Sequence, residues 1–178
     1  VLGPYFSGGR PERFGVLEEE QGENCLVLNV LTPGLDQAKR PVAVYHHGGG
    51  FSSGSGSLVI GADHWAREED LVIVRVNHRL NALGYLYLGH LDQQYALSGN
   101  AGMLDLMLAL EWVRANIAAF GGDPGRVTIM GESGGGMKVS TLLSMERASG
   151  LFGQAIVESG SAPTMAHSKE QAAEAANR

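Results

Sequence analysis

Cysteine is almost missing from this chain. Cys25 is the only one, so no internal disulfide can form. No cluster of positive charge stands near it in sequence to stabilise a thiolate, and it reads as a small buried hydrophobe. An excess of basic charge is missing as well. Lys and Arg number 13 against 19 Asp and Glu, a net charge of -6, with no basic stripe to track a phosphate backbone. That excludes nucleic acid as the expected partner. Long apolar runs are absent: Leu71–Val76 is typical, far too short to span a bilayer. Val1–Arg10 holds no charged segment followed by an apolar one, as a secretory leader would. A first residue of Val rather than Met is the start expected of a processed, trimmed or partly represented chain.

What is present is glycine, 26 residues among 178. The glycines gather at Gly48–Gly50, Gly54–Gly56, Gly121–Gly122 and Gly131–Gly136, each time beside an apolar run. Tight turns between strands and helices require that placement, where backbone bends sharply or approaches a ligand. A hydrophobic fraction of 44% and a charged fraction of 18% suit one globular domain with a substantial core. Leu26–Leu31, Val42–Tyr45, Leu71–Val76 and Val127–Met130 read as strands buried on both faces, with Ala155–Val157 a weaker fifth.

Between them, Met103–Phe120 carries Leu106, Leu110, Val113, Ile117 and Phe120 at helical spacing, and Gly121-Gly122-Asp123-Pro124 ends it. Further helices are expected just after Ser133 and over Ser168 to Arg178. Strands alternating with helices predict a mostly parallel α/β sheet with flanking helices, within a single domain over residues 1–178.

Two glycine-rich segments carry chemistry. Gly131-Glu132-Ser133-Gly134-Gly135 fits G-x-S-x-G between a strand and a helical pattern, the setting of a nucleophile elbow. Such a turn strains the serine backbone, lifts its hydroxyl above the sheet and places it at a helix N-terminus. The same stretch is a near miss for a P-loop. One extra residue separates Gly136 from Lys138, and Val139 follows, so the lysine would be misplaced for phosphate. The dinucleotide fingerprint fails at Gly48–Gly54 on spacing.

The second segment is His46-His47-Gly48-Gly49-Gly50-Phe51, after the strand Val42–Tyr45. Acyl transfer builds negative charge on a carbonyl oxygen, and glycines leave successive N–H groups free to meet it. An HGGG run early and G-x-S-x-G later form the lipase/esterase pairing. His46 and His47 are read as shaping the loop, since the base follows the nucleophile in this chain order.

These segments, with Glu23–Val30 (E-N-C-L-V-L-N-V), Asn77–Tyr85 (N-H-R-L-N-A-L-G-Y), Gly99–Asp105, Gly121–Pro124 and Leu151–Ser161, resemble the carboxylesterase type-B family, which includes cholinesterases. The resemblance covers nearly the whole chain. It implies an α/β-hydrolase fold and an esterase acting on small carboxylic esters without metal or organic cofactor. It implies Ser133 as the acylated nucleophile, Gly49, Gly50 and Gly134 as the oxyanion hole, and Arg79 with Asp105 as a buried structural ion pair. The family's cysteine usually bonds an upstream partner, which this chain lacks. His78 replaces the usual Tyr, Asn81 the usual Gly, and Gly134-Gly135 the usual Ala-Gly, which suggests a more mobile elbow.

A serine hydroxyl is a weak nucleophile without a base. After Ser133 the only histidine is His167, and the acids are Glu146, Glu158, Glu170 and Glu174. His167 follows too closely for the family's base, and Glu132 is read as tuning the site's electrostatics. The triad acid and histidine are therefore expected from a C-terminal part of the same enzyme, of which this chain would be a fragment or a nicked piece. Two alternatives stay open: an esterase-like binding or adhesion module, and a hormone-sensitive-lipase-like hydrolase that shares HGGG.

Overall fold

A computed structural model describes residues 22–58, 61–160 and 166–178; the opening segment Val1–Arg10 lies outside them. Among the described residues five strands form one sheet: β1 (Leu28–Leu31), β2 (Arg40–His46), β3 (Val72–Val76), β4 (Gly122–Glu132) and β5 (Gln154–Glu158). Their spatial order is β1-β3-β2-β4-β5. β1 runs antiparallel to β3 at one edge, and the other neighbours are parallel. Among the described residues five α-helices accompany them: α1 (Ala62–Glu68), α2 (Asn81–Tyr85), α3 (Ala101–Asn116), α4 (Gly134–Ser144) and α5 (Lys169–Ala176). Among the described residues no helix is long and apolar enough to cross a membrane.

Strand alternation sorts the core into two layers. Val42, Val44, Val72, Val74, Val127 and Ile129 pack against Leu106, Leu110 and Val113 of α3 and Val139 and Leu142 of α4. On the opposite face Ala43 and Ile73 meet Ala62 and Ala66 of α1. A sheet covered on both faces by crossover helices is the doubly wrapped parallel architecture expected of such β-α alternation.

Several expected boundaries and one expected burial differ. Leu26 and Val27 are half exposed, and the first strand starts only at Leu28. The helix foreseen to Phe120 is α-helical from Ala101 to Asn116, then tightens into a 3₁₀ turn over Ile117–Phe120. That turn stops at Gly121, whose φ of 78° is a left-handed value glycine adopts without strain. β5 does not share the burial of the inner strands: Ile156 and Val157 are exposed, because it is the outermost strand here. The Ala-rich tail is a helix, α5, held by a capping box. The Ser168 hydroxyl accepts the Gln171 N–H, and the Gln171 side chain accepts the Ser168 N–H.

The Arg79–Asp105 pair fastens the segment after β3 to α3. Asp105 accepts the Arg79 backbone N–H at 3.0 Å, Nε at 2.9 Å and an Nη at 2.6 Å. Burial is unequal, with Asp105 at 4% exposure and Arg79 at 41%, so the pair is only half buried. Cys25 is likewise half-buried and free. Removing either partner of the pair therefore has different consequences. Arg79→Met strands a buried carboxylate and is expected to cost about 3 kcal/mol. Asp105→Asn leaves a guanidinium that reaches water and is expected to cost about 1 kcal/mol. Urea unfolding of the two variants checks this order.

Candidate active site

Ser133 joins β4 to α4 with φ 55° and ψ −120°, a combination that non-glycine residues occupy only under constraint from their surroundings. Two hydrogen bonds hold the turn. The Ser133 N–H donates to the Glu158 carbonyl at 2.8 Å, and the Ser133 carbonyl accepts the Met137 N–H at 3.0 Å. The neighbouring glycines are required by close approach. A Cβ on Gly135 would overlap the His46 carbonyl, and one on Gly131 would overlap the backbone of Gly135.

The loop after β2 lies directly against this turn. A Cβ on Gly48 would stand 3.7 Å from the Ser133 Cβ and 3.2 Å from the Glu132 carbonyl. A Cβ on Gly134 would overlap the Gly50 backbone. The glycine at 134 therefore corresponds to close packing of two backbones, which replaces the expectation of a more mobile elbow. Gly49 and Gly50 take φ of 89° and 63°, and the Gly49 carbonyl accepts the Ser53 N–H. Among the described residues the Gly49 and Gly50 amides donate no hydrogen bond. The Gly134 amide lies in the first turn of α4, where helical N–H groups have no intrahelical acceptor.

Around the loop sits a buried polar cluster that sequence reasoning largely missed. His46 is fully buried with both ring nitrogens unpartnered among the described residues, and burial, with Lys138 and His47 nearby, pushes its pKa down to about 3. His47 stacks on His78 with ring centroids 4.8 Å apart, and burial also depresses His78. Lys138 of α4 is fully buried, and its Nζ donates to the His47 carbonyl at 2.9 Å. Burial pushes the Lys138 ammonium down to about 7. The near miss to a phosphate loop thus ends in an inward-facing amine. The available signal was its helical phase: Lys138 sits beside Val139 and four residues before Leu142, both core residues.

Other anticipated residues make no hydrogen bond to the serine hydroxyl among the described residues. His167 is exposed and lines a cavity of about 400 Å³ with Phe51, Tyr85, Tyr87 and Met103. No hydrogen bond joins it, or any acid, to the Ser133 hydroxyl among the described residues. Glu132 turns its carboxylate toward Gly48.

A profile described as the carboxylesterase family matches residues 8–178. This chain belongs to the carboxylesterase family. It is 46% identical over 154 residues to the para-nitrobenzyl esterase of Bacillus subtilis (strain 168), covering 86% of this chain and 31% of that protein. It is 47% identical over 159 residues to a probable N-octanoylanthranilate hydrolase, AqdA2, of Rhodococcus erythropolis, covering 88% and 34%. The crystal structure of carboxylesterase EST55 of Geobacillus stearothermophilus superposes with a TM-score of 0.85 at 45% identity, over 90% of this chain and 34% of that one. The fold is that of the α/β-hydrolase esterases. The chain spans about a third of the length of the curated relatives it matches.

Two outcomes follow from the packing of this carboxylesterase elbow. Gly135→Ala forces a methyl into the His46 carbonyl and is expected to lower stability by about 2 kcal/mol, measured by chemical unfolding. The buried basic groups set a pH dependence. Lys138 has a folded pKa of about 7 below its ordinary 10.5, so the unfolded chain binds the extra proton between those values. Stability then rises with pH across that window, by up to about 1.4 kcal/mol per pH unit. His46, near 3 against 6.5, adds a loss of stability as pH falls below 6.5. Unfolding curves at pH 5, 7 and 9 read both slopes, and Lys138→Met should flatten only the alkaline one.

Proposed function

We propose that this chain is the nucleophile-bearing part of a serine carboxylic-ester hydrolase, within a single α/β-hydrolase catalytic domain that includes residues 1–178. The observation that carries the reading is the strained turn at Ser133, with φ 55° and ψ −120°, packed against the Gly48–Gly50 loop. A residue held in that conformation needs surroundings that over-determine it, and such strain clusters at reacting groups.

The chemistry is a two-step acyl transfer. The Ser133 oxygen attacks the ester carbonyl carbon as its proton passes to a base. The carbonyl oxygen takes up the electron pair and is met by the N–H groups of Gly49, Gly50 and Gly134. The intermediate collapses, the bond to the alkoxy oxygen breaks, and the alcohol leaves with the proton. Water then attacks the acyl-serine, releasing the carboxylic acid and the free hydroxyl. No step calls for a metal or organic cofactor. The base and its orienting acid are assigned to residues outside these 178. That assignment is supported by the distance of His167 from the family pattern, the span of about a third of the relatives, and the apolar outer strand β5. The substrates are small carboxylic esters, with p-nitrobenzyl esters the first to try given the name of one relative.

In the complete enzyme, a fluorophosphonate probe should add to Ser133, and Ser133→Ala should abolish both the adduct and ester turnover, by at least about 10³-fold. Intact mass and a p-nitrophenyl ester assay read the result. Turnover surviving in Ser133→Ala would sink the nucleophile assignment. An unlabelled, inactive but folded wild type would favour an esterase-like binding module.

A further inference from the structure

The acyl-transfer chemistry leaves one buried cation without a task. Lys138 has no exposure, and no carboxylate pairs with it among the described residues. Its neighbours are His46 and His47 at the exit of β2, His78 after β3, Phe51 of the loop and, beyond them, Tyr85 of α2. Glu132 at the end of β4 lies beside Gly48. Burying an ammonium without a counter-anion is costly. Such a group persists where its position serves something else.

The position is specific. Nζ donates to the carbonyl of His47, the residue just before the glycine triplet, at 2.9 Å. It also lies 5.7 Å from the ring centroid of Phe51, the residue just after it. One side chain therefore grips both ends of Gly48–Gly50. The grip is reinforced at each end, by His47 stacking on His78 and by the Phe51 carbonyl accepting the Asn81 N–H at 2.8 Å. Lys138 itself sits on α4 directly after Met137, whose N–H donates to the Ser133 carbonyl. The lysine thus ties the glycine loop to the helix that carries the nucleophile at its N-terminus.

We propose that Lys138 is a positioning residue of the oxyanion loop, clamping Gly48–Gly50 against Ser133 through the His47 carbonyl and the Phe51 ring. The proposal rests on reading Gly49, Gly50 and Gly134 as the oxyanion hole. The clamp is strongest while the amine is charged, since a charge-assisted hydrogen bond exceeds a neutral one. With an ammonium pKa near 7, the clamp weakens as pH rises above that value.

The test uses the complete enzyme with Lys138→Met and Lys138→Gln. Methionine keeps length and apolar contact but no donor; glutamine keeps a donor that does not titrate. In Lys138→Met, kcat on a p-nitrophenyl ester should fall at least about tenfold with KM within about twofold, because misplacement of oxyanion donors acts on the transition state. Hydrogen exchange in the peptide covering residues 47–51 should quicken in parallel. The wild-type decline of kcat above about pH 7 should vanish in Lys138→Gln, which recovers part of the lost rate. Unchanged exchange in Lys138→Met would overturn the clamp while leaving the glycine assignment standing. Faster exchange with unchanged kcat would overturn the oxyanion reading and the proposal together. If Lys138→Met does not fold, an alkaline decline persisting in Lys138→Gln overturns the proposal.

Discussion

At Ser133 the chain must pass from the end of β4 into α4 within one residue, and a left-handed φ is the backbone conformation that achieves it. L-residues avoid that region because Cβ crowds the following carbonyl, so surrounding contacts must hold the serine there. They do so from three sides. Glu158 on β5 takes its N–H, Met137 on α4 donates to its carbonyl, and the glycines flanking it let the β2 exit and β4 close in without side chains between them. Sheet order, helix placement and glycine distribution all converge on this turn.

The convergence also explains why so much polar material is buried beside it. Parallel β2, β3 and β4 end on the same side of the sheet, so the segments leaving them, His46–Gly50, Asn77–Arg79 and Glu132–Gly134, gather in one place. Crevices at the carboxyl ends of parallel strands are where α/β proteins build sites. Here the gathered segments bring three histidines, a tyrosine and a lysine into the protein interior. Desolvation holds His46 and His78 neutral and lowers the lysine, so the cluster resists the accumulation of positive charge that its composition suggests.

A second constraint operates away from the serine. Arg79 binds Asp105 by three hydrogen bonds, anchoring the exit of β3 to α3. His78, one residue earlier, is the partner on which His47 stacks. The ion pair therefore supports one wall of the polar cluster through the backbone, although neither of its members touches the serine. The exposed Ile156 and Val157 of β5, one on each face of that edge strand, lie at the opposite edge from β1.

Much of this was legible in residue order alone. The runs Val42–Tyr45, Leu71–Val76 and Val127–Met130 announced the inner strands, because strands buried on both faces tolerate only apolar residues. The glycines of Gly48–Gly50 and Gly131–Gly135 announced the loop and the turn, because backbone that approaches as closely as at Gly49, Gly134 and Gly135, or takes a left-handed φ as at Gly50, favours glycine. Membership of the carboxylesterase family was likewise written in local motifs. Beyond the Arg79–Asp105 pair and the glycine pairing that the family resemblance implied, residue order did not disclose how segments distant in the chain pack on one another. Lys138 reads locally as a misplaced phosphate-loop lysine, and only packing turns it onto a carbonyl 91 positions away. Gly134 reads as added freedom, yet the approach of Gly50 makes it a point of contact. Local sequence specifies backbone conformations through sterics and periodicity; which groups lose their water, and so how they bond and titrate, is decided only when the sheet brings them together.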